Sequence, residues 1–175
     1  MSLAIHNDGP MKSLEPPDSH HLIAADGWLG LGNWQEAQLE IEQIIPELRM
    51  HPDVQEVRWQ IQAKAKNWEE AICVAREITQ RTPELPFGWI HLAYSLHELR
   101  RTQEAYCTLK PIFERFPEEW LMGYNMACYA CQLGNQDEAR QWLELAYKRG
   151  DKSEIRKMAR LDPDLAPLRA RFGEI

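Results

Sequence analysis

The sequence predicts an all-α protein built as an array of stacked helical hairpins. Three observations carry that expectation. First, the 175-residue chain repeats itself at a lag of 34 residues: Glu36, Glu70, Glu104 and Glu138 share one column, and Ala37, Ala71, Ala105 and Ala139 share the next. Second, apolar residues inside a period recur at helical spacing. Trp89, Leu92, Leu96 and Leu99 fall at i, i+3, i+7 and i+10. Third, Pro83 and Pro117 return at the same lag, where a helix should end. A fixed period of roughly 20–50 residues marks a solenoid of units that cannot bury their apolar faces alone.

Residues 1–17 hold Gly9, Pro10, Pro16 and Pro17 and show no periodicity, so a flexible N-terminal segment is expected there. Met11 offers a second start besides Met1. Asp18 or Ser19 is placed to cap the first helix. Hairpins are expected at about 18–52, 53–84, 85–118 and 119–151, together filling 18–150. In the first, Pro52 comes late, so the second helix reads as extended. In the second, a one-residue shift puts Val54, Val57 and Ile61 in the apolar slots, which implies an extra residue before Trp68. In the third, a polar turn follows Leu99. A second stripe of Ala105, Leu109, Ile112, Phe113 and Phe116 then runs to Pro117.

Helices of about a dozen residues are marginal alone in water, so each pair must gain stability by packing. Alanine in the repeated column lets the two helices of a pair approach closely. A larger side chain there would overpack at about 1–3 kcal/mol. Asn33, Asn67 and Asn135 recur in the turns, where Asn or Gly tolerates the left-handed conformation that ends a helix. Asp151-Lys-Ser-Glu154 reads as a capping box opening a helix with Ile155, Met158 and Ala159. Leu161-Asp-Pro-Asp-Leu-Ala-Pro-Leu168 leads to a last short helix near Phe172. Residues 151–175 are thus expected to be C-terminal capping helices, which an array needs at its end.

Composition narrows function. The chain has 44% hydrophobic residues, enough for a core. Its 27 acidic and 20 basic residues give −7, which argues against generic nucleic-acid binding. No run of ~18 apolar residues predicts a membrane span, and the N-terminus has no secretory pattern. A cytoplasmic protein is expected, with Cys73, Cys107, Cys128 and Cys131 as reduced thiols. Residues 148–175 hold eight Lys/Arg against five Asp/Glu, leaving −10 on the remainder. No nucleophile elbow, phosphate loop, paired-histidine zinc motif or dinucleotide motif is present. No catalytic residue, metal site or cofactor is therefore predicted.

The 34-residue helix–turn–helix resembles the tetratricopeptide repeat, in a bacterial-type chain of four copies covering roughly residues 18–150. In the third copy the resemblance rests on Trp89, Leu92, Ala93, Leu96, Ala105, Leu109, Ile112 and Pro117. In the fourth it rests on Met126, Ala127, Gly134, Asn135, Ala139, Leu143 and Ala146. The resemblance implies a right-handed α–α superhelix with a C-terminal capping helix. It also implies a concave groove lined by the first helix of each pair. Carried onto this sequence, the groove positions are Phe87, Ile90, Tyr94 and His97, then Tyr124 and Cys128, with Leu121, Cys131 and Gln132 alongside.

The function implied is a non-catalytic scaffold, adaptor or chaperone-like module holding a peptide or helix on aromatic anchors. Some relatives grip a C-terminal carboxylate with a Lys/Asn clamp. Leu22 and Asp26 stand at clamp positions and cannot hold an anion; Asn125 is the one remnant. Competing readings are burial of the groove under the cap and self-association into a homodimer through an exposed tryptophan. A third is thiol or metal chemistry at Cys128 and Cys131, with His97 as a further ligand. A mid-helix pair without a second pair argues against that chemistry. Cys73 and Cys107 are expected in the core.

Overall fold

The computed structural model describes residues 13–173. The flexible segment expected over 1–17 lies mostly outside the described residues, as does the last pair of the chain. Ten α-helices and no strand occur among the described residues. They fall into two compact units, one up to Ala65 and one from Lys66 onward. No helix among the described residues is long and apolar enough to cross a membrane.

The first unit holds α1 (Asp18–Gly30), α2 (Trp34–Gln43) and α3 (Pro52–Lys64). Its core is Ala25, Leu29, Ala37, Ile41, Ile44, Leu48, Val54, Val57 and Ile61. The shifted apolar slots of α3 are thus the buried ones. Asp18 does not cap α1; it is the first helical residue, and its buried carboxylate accepts the Ile45 N–H at 2.8 Å. α2 is shorter than the sequence suggested. Pro46 lacks an N–H and forces Ile45 to ψ 146°, so the helix stops and a 3-10 turn, Pro46–Leu48, follows. Arg49 then donates to the freed carbonyls of Ile44 (2.9 Å) and Glu42 (3.0 Å).

The second unit holds α4 (Trp68–Arg81), α5 (Pro86–Glu98), α6 (Thr102–Leu109), α7 (Trp120–Gln132), α8 (Gln136–Arg149), α9 (Lys152–Leu161) and α10 (Ala166–Phe172). α4 packs on α5, α5 on α6, and α7 on α8. The α6 stripe is continuous in burial but not in backbone. Pro111 ends the α-helix, and a 3-10 segment, Lys110–Arg115, presents Ile112 and Phe113 to the core. Asp151 caps α9 as predicted, accepting from Ser153 N at 2.8 Å and Glu154 N at 2.9 Å. Ala37, Ala71, Ala105 and Ala139 are each 0% exposed, in keeping with close helix approach at that column.

The left-handed residues of the corners are not the asparagines. They are Gly32 (φ 79°), Lys66 (φ 56°), Arg100 (φ 63°) and Gly134 (φ 84°), spaced by 34 residues. Asn33, Asn67 and Asn135 come one residue later at φ −96°, −87° and −90° as N-caps of the next helix. Asn33 accepts the Glu36 N–H at 3.2 Å. After α1, α5 and α7 the next N–H reaches back five residues: Asn33 to Trp28 O, Arg101 to Leu96 O and Asn135 to Ala130 O. The corner at Lys66 keeps the 34-residue lag, so the extra residue expected before Trp68 is not there; the buried face of α3 is rotated instead.

Gly88 marks a close contact between α5 and α4. A Cβ there would meet Ile78 Cγ2 at 2.7 Å, Ile78 Cβ at 3.1 Å and the Thr79 backbone N at 3.1 Å. Helix propensity favours Ala over Gly by about 1 kcal/mol. The clash costs about 1–3 kcal/mol. A β-branched side chain and main chain cannot step aside, so the clash prevails. Gly88→Ala is expected to lower the urea midpoint with m unchanged; a raised midpoint would contradict this packing.

Candidate functional site

α5 and α7 carry the positions expected to line a groove in the second unit. α7 is buried from Met122 to Cys131 without a break. Pro86 pre-sets the first turn of α5. The chain's own C-terminal segment lies against them. α9 ends at Leu161, and Asp162-Pro-Asp-Leu165 then passes over α7 as a 3-10 turn, Pro163–Leu165, before α10. Leu165 and Leu168 are fully buried.

Two carboxylates fasten this strap. Tyr124 Oη donates to Asp162 Oδ2 at 2.8 Å, and the Cys128 thiol approaches the same oxygen at 3.6 Å. Asp162 Oδ1 accepts the Asp164 N–H at 2.9 Å, which sets the turn. His97 Nε2 lies 2.8 Å from Asp164 Oδ2, while its Nδ1 lies 3.0 Å from Thr102 Oγ1. Gln132 Nε2 donates to the Asp164 carbonyl at 2.8 Å. Arg169 Nη1 donates to the Asp162 carbonyl at 2.8 Å.

The predicted groove residues therefore separate. His97, Tyr124 and Cys128 converge on the strap and are 6%, 4% and 5% exposed. Ile90 and Asn125 are buried, and Asn125 has no recorded bond to the strap. Phe87 is half-buried, with its ring edge-on to His91 at 4.0 Å. Tyr94 alone of the set stays open, 38% exposed, and meets Trp68 edge-on at 5.8 Å. Asp162 and Asp164 were missed as site residues. Their signal was present in the Asp-Pro-Asp-Leu motif, which reads equally well as a helix stop.

Burial sets the protonation of the site's thiols and phenols. Burial first, then the Asp162 and Asp164 charges, push the Cys128 thiol well above its ordinary range. Burial raises Cys131 as well. The neutral thiol is thus favoured at both. No group of three His, Cys, Asp or Glu side chains among the described residues is arranged to hold a metal. Burial also raises the Tyr124 phenol far above its usual value, and burial with Glu98 pushes Tyr94 up to about 12. Both tyrosines remain neutral donors at physiological pH.

Cys73 and Cys107 correct the core expectation: both are exposed, on the outer faces of α4 and α6. Their column lies beside the buried stripe rather than in it, next to Ile72 and Tyr106. All seven tryptophans are buried or half-buried, so the exposed tryptophan that would mark a self-association face is absent. α9 turns Lys152, Arg156, Lys157 and Arg160 to a shallow depression of about 450 Å³. Exposed Met158 and Leu161 lie on the same helix.

No protein-family profile and no curated protein matches the chain. Among solved structures it is similar to a thermophilic tetratricopeptide-repeat protein of Thermus thermophilus. The TM-score is 0.71 at 20% identity, over 90% of this chain and 84% of that one. Repeated corners, a buried alanine column and this likeness agree: the chain is a helical-repeat protein with a tetratricopeptide-like, all-α fold.

Proposed function

We propose that the chain is a cytoplasmic, non-catalytic protein-interaction module of four repeats. It acts as scaffold, adaptor or chaperone-like holder and binds a peptide or helix of a protein partner along α5 and α7. The observation that carries this reading is that the groove side chains already hold a stretch of polypeptide. His97, Tyr124, Cys128 and Gln132 each bond to the strap, and Tyr94 is 38% exposed to solvent. Exposed aromatics next to a rigid donor set are what peptide-binding sites use as anchors. No cofactor enters this reading, and neither nucleic acid nor membrane is a partner in it.

The test is a displayed peptide library selected on the full chain. Selected peptides are expected to bind the parent and to lose at least tenfold affinity on Tyr94→Ala, with melting unchanged. Binding that ignores Tyr94→Ala removes the groove as the site, and failure to select any peptide removes the reading altogether.

A further inference from the structure

We propose that the α5–α7 groove is a receptor for an acidic peptide of the pattern Asp-x-Asp-Leu, and that residues 162–165 are a resident occupant which such a peptide replaces. The proposal rests on the peptide-module reading above and adds the chemistry of the ligand. Four features of the contact specify it. Tyr124 and Cys128 on α7 point hydrogens at the first carboxylate. His97 on α5 meets the second. Gln132 reads a main-chain carbonyl, which any sequence supplies. Leu165, fully buried, is the apolar anchor.

A lid needs none of the first three. Leu165 and Leu168 would close the end of the array by apolar burial alone. Instead two acids two residues apart are read by different helices, one by α7 and one by α5. Hydrogen bonds to a charged acceptor are roughly twice as strong as neutral ones, and buried donors left without an acceptor are penalised. A groove emptied of the strap would therefore seek another pair of carboxylates with the same spacing. Charge complementarity points the same way: α9, which leads into the strap, carries Arg156, Lys157 and Arg160. Exposed Leu161, which directly precedes the strap in sequence, offers an incoming chain apolar contact.

The experiment titrates a fluorescein-labelled peptide of residues 159–168 onto the full chain by polarisation. The chains are the parent and Asp162→Asn/Asp164→Asn. Asn keeps an oxygen for the strap's own turn but removes both charges, so the strap loosens while the receptor stays intact. The parent is expected to bind weakly and the variant at least tenfold more tightly. A peptide with both Asp replaced by Asn should lose that gain, as should Tyr124→Phe in the variant background. No gain in a variant that melts like the parent overturns the proposal and leaves the strap a structural cap.

Should the variant fold poorly, hydrogen exchange on the parent decides. Strap amides exchanging well ahead of α7 support displacement; exchange only with global unfolding overturns it. The library separates the two claims. Tyr94-dependent peptides without acids would sink the acidic preference alone, and the absence of any ligand would sink both.

Discussion

Phe113→Ala is expected to lower stability by about 3–5 kcal/mol, the range for removing a buried phenylalanine. Phe113 is 1% exposed and projects from the 3-10 segment that Pro111 imposes after α6. Its ring meets Trp142 of α8 edge-on at 4.8 Å, and the Arg149 guanidinium lies 4.0 Å above it. The substitution thus empties a cavity, breaks an aromatic pair worth about 0.5–1.5 kcal/mol and strips a partly buried cation of its ring. A domain has only about 5–15 kcal/mol in total, so the loss is a large share of it. Urea unfolding followed by tryptophan fluorescence checks it. Phe113→Leu, which keeps most of the volume, should cost less than half as much. Equal losses for both would locate the effect in the ring contacts rather than in the cavity.

Acid is expected to destabilise the fold through His91. Burial against Phe87 lowers its pKa from 6.5 to about 4. The sign follows from which state holds the proton. Between pH 6.5 and about 4 the unfolded chain is protonated at this histidine while the folded chain is not, so falling pH favours unfolding. The full shift corresponds to as much as about 3 kcal/mol, reached near pH 4 and constant below it. The carboxylates of Glu104 and Glu138 are lowered below 4.5 by hydrogen bonds from Arg101 and Tyr106 respectively, and their contribution is lost lower on the scale. The two effects therefore separate by window. Urea midpoints at pH 7, 5.5 and 4.5 should fall for the parent and stay nearly level for His91→Leu. A parallel fall in both chains would assign the acid response elsewhere.

Much of this architecture is written in the sequence because it is local. The 34-residue lag and the alanine column recur at a fixed spacing, and the Asp151 cap joins residues within one turn of each other. Pro46 and Pro111 end α2 and α6, yet the apolar stripe continues through both, and the sequence reading followed the stripe. Burial periodicity survives a switch from α to 3-10 winding, so it masks the change of backbone. The corners misled for a related reason. Asn33 and its counterparts stand out as a repeated type, whereas the strained position is held by Gly, Lys or Arg and its identity is set by geometry. The groove positions were legible as an expectation, with burial under the C-terminal cap as a competing one, but the contacts that fasten the strap were not. His97 and Asp164 are 67 residues apart, and Tyr124 and Asp162 are 38 apart. No spacing rule links residues that meet only after the array has stacked and its end has turned back.

The covalent link between α9 and the strap sets a ceiling on competition. A ligand tied to its site behaves as if present at roughly millimolar effective concentration. A loose copy of the same sequence must therefore reach about that concentration to half-fill the groove, however strong the intrinsic grip, because any gain in affinity helps the tethered copy equally. Mimicry alone cannot win. A successful rival has to carry something residues 162–165 lack, and the ring of Tyr94, turned outward beside them, is the nearest place to use it.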